Sequence, residues 1–282
     1  MQKRYAVSEL VTQAGEGPIW RVVLRDQAIE DGAPEQVLID QMSEVFQVMR
    51  EAAAEGMDPQ LRSMSGMTGG AAAKYRDAVR LGRTAGGALL GEAASRALAV
   101  AELNAAMGRI VAAPTAGACG VLPGVLLALQ EAHGIATEDV VKALFTAAGV
   151  GAVIAQRASI SGAEGGCQAE VGTAAAMAAA AAVELRGGTA RQAADAVAFA
   201  LMNLMGLVCD PVGGLVEVPC VYRNVAGVSV ALTAADLALS GTCSILPADE
   251  VIDAMGRVGR MLPAALRETG EGGCASCVAS RA

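Results

Sequence analysis

The chain has 282 residues, of which 54% are hydrophobic but only 2% aromatic, with 34 glycines and a large share of alanine. That length suffices for a sizeable core, and a core filled by small side chains argues for closely approaching helices and against an all-β sandwich or barrel, which needs β-branched and aromatic residues. The 21 basic and 29 acidic residues give a formal charge of -8 with no basic cluster, which argues against nucleic acid as a partner.

A mean hydropathy of +0.44 raises a membrane reading. The apolar stretches at 143–155 and 173–183 are too short for it, because a span needs about 18–20 residues. The start, Met1-Gln2-Lys3-Arg4-Tyr5-Ala6, runs into Ser8 and Glu9 rather than an apolar leader core, so the plain expectation is a soluble cytoplasmic protein.

Residues 1–34 form a weakly patterned N-terminal segment with a turn at Gly15-Glu16-Gly17-Pro18. From Ala33-Pro34-Glu35 the pattern becomes helical: Val37, Leu38, Met42, Val45, Phe46 and Met49 recur at three- and four-residue steps until Gly56. Further helical runs cover about 71–81, 88–108, 122–133, 138–156, 170–186, 190–206, 226–240 and 248–261, each broken by glycine or proline. Strand and helix patterns do not alternate, which disfavours a doubly wound sheet. The expectation is all-α: a single helical domain over 35–270 with glycine-rich loops between helices, followed by a cysteine-containing tail at 271–282.

Four breaks stand out: Ser65-Gly66-Met67-Thr68-Gly69-Gly70, the 113–120 segment with Pro114-Thr115-Ala116-Gly117, the 159–167 segment, and Cys209-Asp210-Pro211-Val212-Gly213-Gly214. They set hydroxyls and backbone N–H groups at helix ends, where unpaired amides and the positive dipole end favour carboxylates or phosphates. Helix capping and close packing explain the same glycines.

Seven cysteines lie at 119, 167, 209, 220, 243, 274 and 277. An odd count without an export signal argues against a disulfide framework. Cys167 follows two glycines, while Cys209 and Cys220 stand beside or near prolines, so all three are expected on loops, where thiolates suit an iron-sulfur cluster or zinc. Cys119 and Cys243 read as small packing residues.

The stretches Asn104-Ala105-Ala106-Met107-Gly108, Pro114-Thr115-Ala116-Gly117, Ala158-Ser159-Ile160-Ser161-Gly162-Ala163, Gly166-Cys167-Gln168-Ala169-Glu170-Val171-Gly172 and Cys209-Asp210-Pro211-Val212-Gly213-Gly214-Leu215-Val216-Glu217-Val218-Pro219-Cys220 resemble the catalytic alpha subunit of the iron-sulfur-dependent bacterial L-serine dehydratases. The resemblance runs from about residue 35 to Leu266-Arg267-Glu268-Thr269-Gly270. It implies conversion of L-serine to pyruvate and ammonia by a [4Fe-4S] cluster on Cys167, Cys209 and Cys220, with one open iron acting as a Lewis acid on the substrate hydroxyl. It also implies a second, beta portion with a histidine-containing motif that these residues lack, hence a separate beta subunit in a heterodimer or higher oligomer.

Other positions are assigned by chemistry alone. Asn104, Thr115, Ser159, Ser161 and the 65–70 loop can hold the substrate's carboxylate and ammonium, and Lys74 and Arg223 can supply positive charge. Each equally reads as a cap or a surface cation. Glu170 and Asp210, beside the cysteines of the implied cluster, can orient ligands, hold the ammonium or simply cap helices. The single histidine, His133, precedes Gly134 as at an ordinary helix end, leaving no evident base. For Cys274 and Cys277 two readings stay open: a loose tail with two exposed thiols, which is the plainer, or an internal ligand to the open iron as in single-chain relatives, although alignment through Gly272-Gly273 places that cysteine nearer Ser280.

Two other classes compete. A pyridoxal-phosphate dehydratase needs a Schiff-base lysine, and among Lys3, Lys74 and Lys142 only Lys74 follows a glycine-rich loop. A non-catalytic helical subunit would use the cysteines to bind zinc structurally.

Overall fold

The computed structural model describes residues 6–281; Met1–Tyr5, which carry most of the stretch read for a leader and also Lys3, and Ala282 lie outside the described residues. Among the described residues the chain is all-α, a single domain of twelve helices whose one β feature is an isolated parallel bridge between Cys209 and Arg267. In order, the helices are α1 Val7–Ala14, α2 Ile19–Asp31, α3 Glu35–Glu55, α4 Ala71–Arg80, α5 Gly87–Ala105, α6 Val121–His133, α7 Thr137–Arg157, α8 Gly162–Gly165, α9 Thr173–Leu185, α10 Ala190–Leu204, α11 Cys220–Leu239 and α12 Ala248–Met261. No helix is long and apolar enough to cross a membrane.

Alanine determines the architecture. Every residue of α9 from Thr173 to Val183 is buried, eight of them alanines, and the helix is packed on α6, α7, α10 and α11. A helix apolar on all sides belongs at a core centre, and the lack of side-chain bulk lets four neighbours close around it. Backbones come very close where α6 begins against α5: a Cβ on Gly120 would stand 2.2 Å from the Ala97 carbonyl oxygen. Local signals set several ends. Gly134, left-handed at φ 61°, stops α6 after His133, and Thr189 with Gln192 makes a reciprocal capping box at the start of α10.

Three sequence expectations change. The N-terminal segment is two helices with Val7, Leu10, Ile19 and Leu24 at most 1% exposed. Its helix starts are capped from far away: Asp249 of α12 accepts from the Val7 and Ser8 N–H groups, and Glu184 of α9 accepts from Ile19 N–H. Long-range caps leave no local pattern to read. Second, α11 begins at Cys220 rather than near 226, with Pro219 in the N-cap position, so Cys220 opens a helix instead of lying on a loop. Third, the run expected from 170 begins as a π-type turn, Gln168–Gly172, that becomes regular helix at Thr173. Such turns recur at functional sites because they displace a side chain from the regular helical register.

The packing of α9 predicts a contrast. Ala178→Leu, at a position with 0% exposure, is expected to cost about 1–3 kcal/mol in chemical denaturation. Ala132→Leu, on the exposed side of α6, should change stability by less than about 0.5 kcal/mol. Equal effects would contradict the account of a tightly filled alanine core.

Candidate functional site

The loops that break the helices converge. Cys167 sits between α8 and the π-type turn, Cys209 lies on the loop after α10, and Cys220 is the first residue of α11; all three are free thiols with at most 6% exposure. The Sγ atoms of Cys167 and Cys209 and a carboxylate oxygen of Glu170 all lie within 4.8 Å of one another. Cys167 is the hub. The neighbouring thiols of Cys209 and Cys220 make it more acidic, with a pKa lowered to about 3; burial opposes this, and the Arg223 guanidinium adds to it. The same bonds to Cys167, together with burial, push the thiols of Cys209 and Cys220 up. Cys119, by contrast, is pushed up to about 12 by burial and packs with Val100 and Leu103, as a small apolar residue would.

Arg223 lies three residues after Cys220 on α11, which puts both on one side of its first turn. Its Nη1 stands 3.4 Å from Cys167 Sγ and donates to the Val208 carbonyl at 2.7 Å, while Nη2 is 2.7 Å from Asp210 Oδ1. One guanidinium thereby meets a thiol, a carbonyl and a buried carboxylate. Asp210 has a second partner in the tail: its Oδ2 accepts from the Cys274 N–H at 2.7 Å. Gly273 makes that approach possible, with φ at 57° and a position where a Cβ would come within 2.2 Å of Asp210 Oδ2. The tail is therefore seated, not loose, against the Cys209–Asp210 loop, with Cys274 half-buried and Cys277 exposed.

Glu170 is half-buried and oriented by the 113–120 segment: Thr115 Oγ1 donates to its Oε1 at 2.7 Å. Burial pushes its carboxyl up to about 7 against the pull of the Thr115 bond, and the charge on Cys167 adds to the rise. A Cβ on Gly162 would lie 2.6 Å from Glu170 Oε2 and 3.0 Å from Cys209 Sγ, so glycine lets the α8 backbone close on the sulfurs. Asn104 donates to the Ala116 carbonyl at 3.4 Å, in the same segment. Ser161 precedes Gly162 at the start of α8. Ser159 turns to Glu164 at 2.6 Å and lines a cavity of about 330 Å³ shared with Gln168, Arg260 and Arg267. Lys74 is exposed on α4, and no hydrogen bond or ion pair joins it to the sulfurs. His133 is exposed at the end of α6.

The structure also shows two site residues beyond those singled out by residue chemistry. Asn224, one turn after Cys220, accepts from Gly120 N–H and donates to the Gly117 and Cys220 carbonyls at 2.8–2.9 Å, tying the Thr115 segment to α11. A lone amide in an apolar helix is the sequence signal for it. Glu217 is 3% exposed and accepts from Ser65, from Thr68 Oγ1 and from Thr68 N–H at 2.5–2.8 Å, locking the 65–70 loop to the segment before Cys220. Burial opposes its ionisation, but these donors and Ser63 hold the carboxyl below the usual range. A pKa lowered in the folded state stabilises the fold above the unfolded carboxylate range, and that contribution is lost as pH falls through the folded value.

Three buried, unbridged sulfurs around one point, with a carboxylate beside them and a guanidinium to offset negative charge, form a donor set suited to a thiolate-bound metal or cluster. Glu217→Ala should strand several donors and lower stability by about 2–4 kcal/mol at neutral pH, with the deficit shrinking below about pH 4. A pH-independent deficit, or none, in denaturation curves would contradict the loop-locking role.

The sequence matches the family described as "Serine dehydratase alpha chain" over residues 14–275. It is 52% identical over 244 residues to the probable L-serine dehydratase alpha chain of Bacillus subtilis (strain 168), covering 86% of this chain and 81% of that protein. It is 42% identical over 257 residues to the L-serine dehydratase alpha chain of Peptoniphilus asaccharolyticus, covering 91% and 88%. L-serine dehydratase 1 of Escherichia coli (strain K12) is 46% identical over 181 residues, 64% of this chain but only 40% of that protein. The sequence motifs, the helical fold and the extent of these matches agree, and the chain belongs to the serine dehydratase alpha chain family.

Proposed function

We propose that this chain is the catalytic alpha subunit of an L-serine dehydratase that converts L-serine to pyruvate and ammonia, and that Cys167, Cys209 and Cys220 hold a [4Fe-4S] cluster. The observation that carries the reading is the convergence of three buried free thiols on Arg223 and Glu170 in a chain of this family. When bound, such a cluster supplies an open Lewis-acid position toward the substrate's oxygens.

The chain's own residues do the positioning. Arg223 balances thiolate charge at Cys167 and, through Asp210, fixes the Cys209 loop. Glu170 lies where the ammonium of a substrate at the sulfurs would come, aimed by Thr115 and by the close backbone of Gly162. Asn104 and Thr115 bond to the 113–120 segment and Glu170, Ser161 opens the α8 turn beside Gly162, and their polar groups suit the substrate's carboxylate. The net reaction loses the α-proton and hydroxide as water and recovers that water when the aminoacrylate hydrolyses to pyruvate and ammonia. Lys74 is exposed on α4 and makes no hydrogen bond with these residues, so no contact favours the pyridoxal-phosphate alternative.

A partner chain completes the proposal. The relatives' names specify an alpha chain, and the Escherichia coli relative extends well beyond the matched region. Exposed Met64, Met67 and Met107 border the loops tied to the site, as do Leu215, Val216 and Tyr222 beside Glu217 and Cys220. An apolar rim around a polar mouth suits a covering beta subunit, which would also supply the base that His133 does not.

The Cys167–Glu170–Cys209 group favours one second reading, a single structural zinc ion. Anaerobic purification separates the two. Brown protein with broad visible absorption bleached by air, lost in each of Cys167→Ser, Cys209→Ser and Cys220→Ser, is expected; colourless protein holding one equivalent of zinc would overturn the cluster. Met64→Asp with Met107→Asp should weaken beta-chain association while leaving that absorption intact. Full activity of the alpha chain alone would remove the need for a partner.

A further inference from the structure

A second, unassigned site lies on the far part of the α3–α6 layer. Helices α3, α4, α5 and α6 enclose an open cavity of about 380 Å³, and four arginines point to it: Arg50 from α3, Arg76 and Arg80 from α4, and Arg96 from α5. In a chain with formal charge -8, such a concentration of guanidinium groups is against the overall trend.

Their charges are unevenly matched. Arg96 is taken up by the two carboxylates of the cavity, Glu92 at 3.1 Å and Glu131. Arg50, Arg76 and Arg80 have no ion pair among the described residues, and Arg76 Nε is buried without a hydrogen-bond partner. A buried donor left unpaired costs free energy that a bound acceptor recovers. Arg76 and Arg80 are one turn apart on one face of α4, so their planar forks present donors side by side, the arrangement that meets a carboxylate or phosphate with paired hydrogen bonds. The remaining wall is mostly apolar, Ala53, Ala54, Met57 and Leu127, with the Gln130 amide beside them.

We propose that this cavity binds a small, doubly charged oxyanion, a phosphate or a dicarboxylate. The ligand meets Arg50, Arg76 and Arg80 and rests its remaining atoms on the alanine and methionine wall. The site is separate from the sulfur centre: Arg96 and Asn104 are eight positions apart on α5, about 12 Å along the helix axis. The anion would join α3, α4 and α5, and α4 and α5 both run on to the site, α4 through Glu102, which accepts from Ala71 and Ala72 N–H at 3.0 and 3.1 Å, and α5 through Asn104.

The test uses the full chain purified anaerobically, titrated by calorimetry with inorganic phosphate and, separately, with succinate, against sodium chloride at matched ionic strength. Saturable binding of one of them is expected, with a raised melting temperature, and the stronger of the two identifies the class. Arg76→Gln with Arg80→Gln should weaken it about tenfold or more. Arg50→Gln tests the same point at an exposed side chain whose loss leaves the fold intact. No saturable binding of either probe, or unchanged affinity in Arg50→Gln and the double variant, would overturn the proposal. So would dependence of beta-chain association, rather than anion binding, on these arginines.

Discussion

Burying three thiols together, one of them Cys167 and inclined to carry negative charge, is the constraint around which the rest of this molecule is arranged. Arg223 answers it. Its guanidinium meets Cys167 Sγ, the Val208 carbonyl and the Asp210 carboxylate, so one positive charge serves a thiolate and a buried acid together. Taking either anion out of water alone would cost several kcal/mol. Because α11 carries both Arg223 and Cys220 in its first turn, the loops bearing Cys167 and Cys209 are referenced to a single rigid element.

From that point the connections spread outward through side chains that satisfy backbone groups. Asn224 ties the Thr115 segment to α11, Glu217 ties the 65–70 loop to the same place, and Asp210 seats the tail through Cys274. Each is a buried polar residue, and the partner it ties in lies 64 to 152 positions away in sequence. Polar loops of this kind are tolerated inside a protein only when nearly every donor and acceptor is paired. The alanine-rich helices provide the rest: α9 and its neighbours pack closely enough that the breaks between them are drawn to one end of a small domain. Glycine at 162 and 273 then removes the side chains that would hold those breaks apart.

The helical class and most helix spans were legible in the sequence because they rest on local signals, apolar periodicity and glycine and proline stops; turn residues marked the three cysteines, but their joint role came only with the family resemblance. Where expectation and structure part, a distant partner is the cause. The first two helices look weakly patterned because Asp249 and Glu184 cap them from α12 and α9. The tail looks loose because its anchor, Asp210, precedes it by 64 positions. Cys220 looks like a loop residue because the proline before it reads as a break, whereas it occupies a helix N-cap.

Composition and spacing by themselves determined that this chain would be a helical domain with cysteines on or beside its glycine- and proline-marked breaks, since propensity and local stops act over a few residues. Only the tertiary structure decided which charges face each other. Arg223 meets the thiol of Cys167 and the carboxylate of Asp210, while Arg50, Arg76 and Arg80, unremarkable along the chain, face one cavity without a partner. Electrostatic pairing depends on distance in space and on desolvation, and neither is set until the helices have packed.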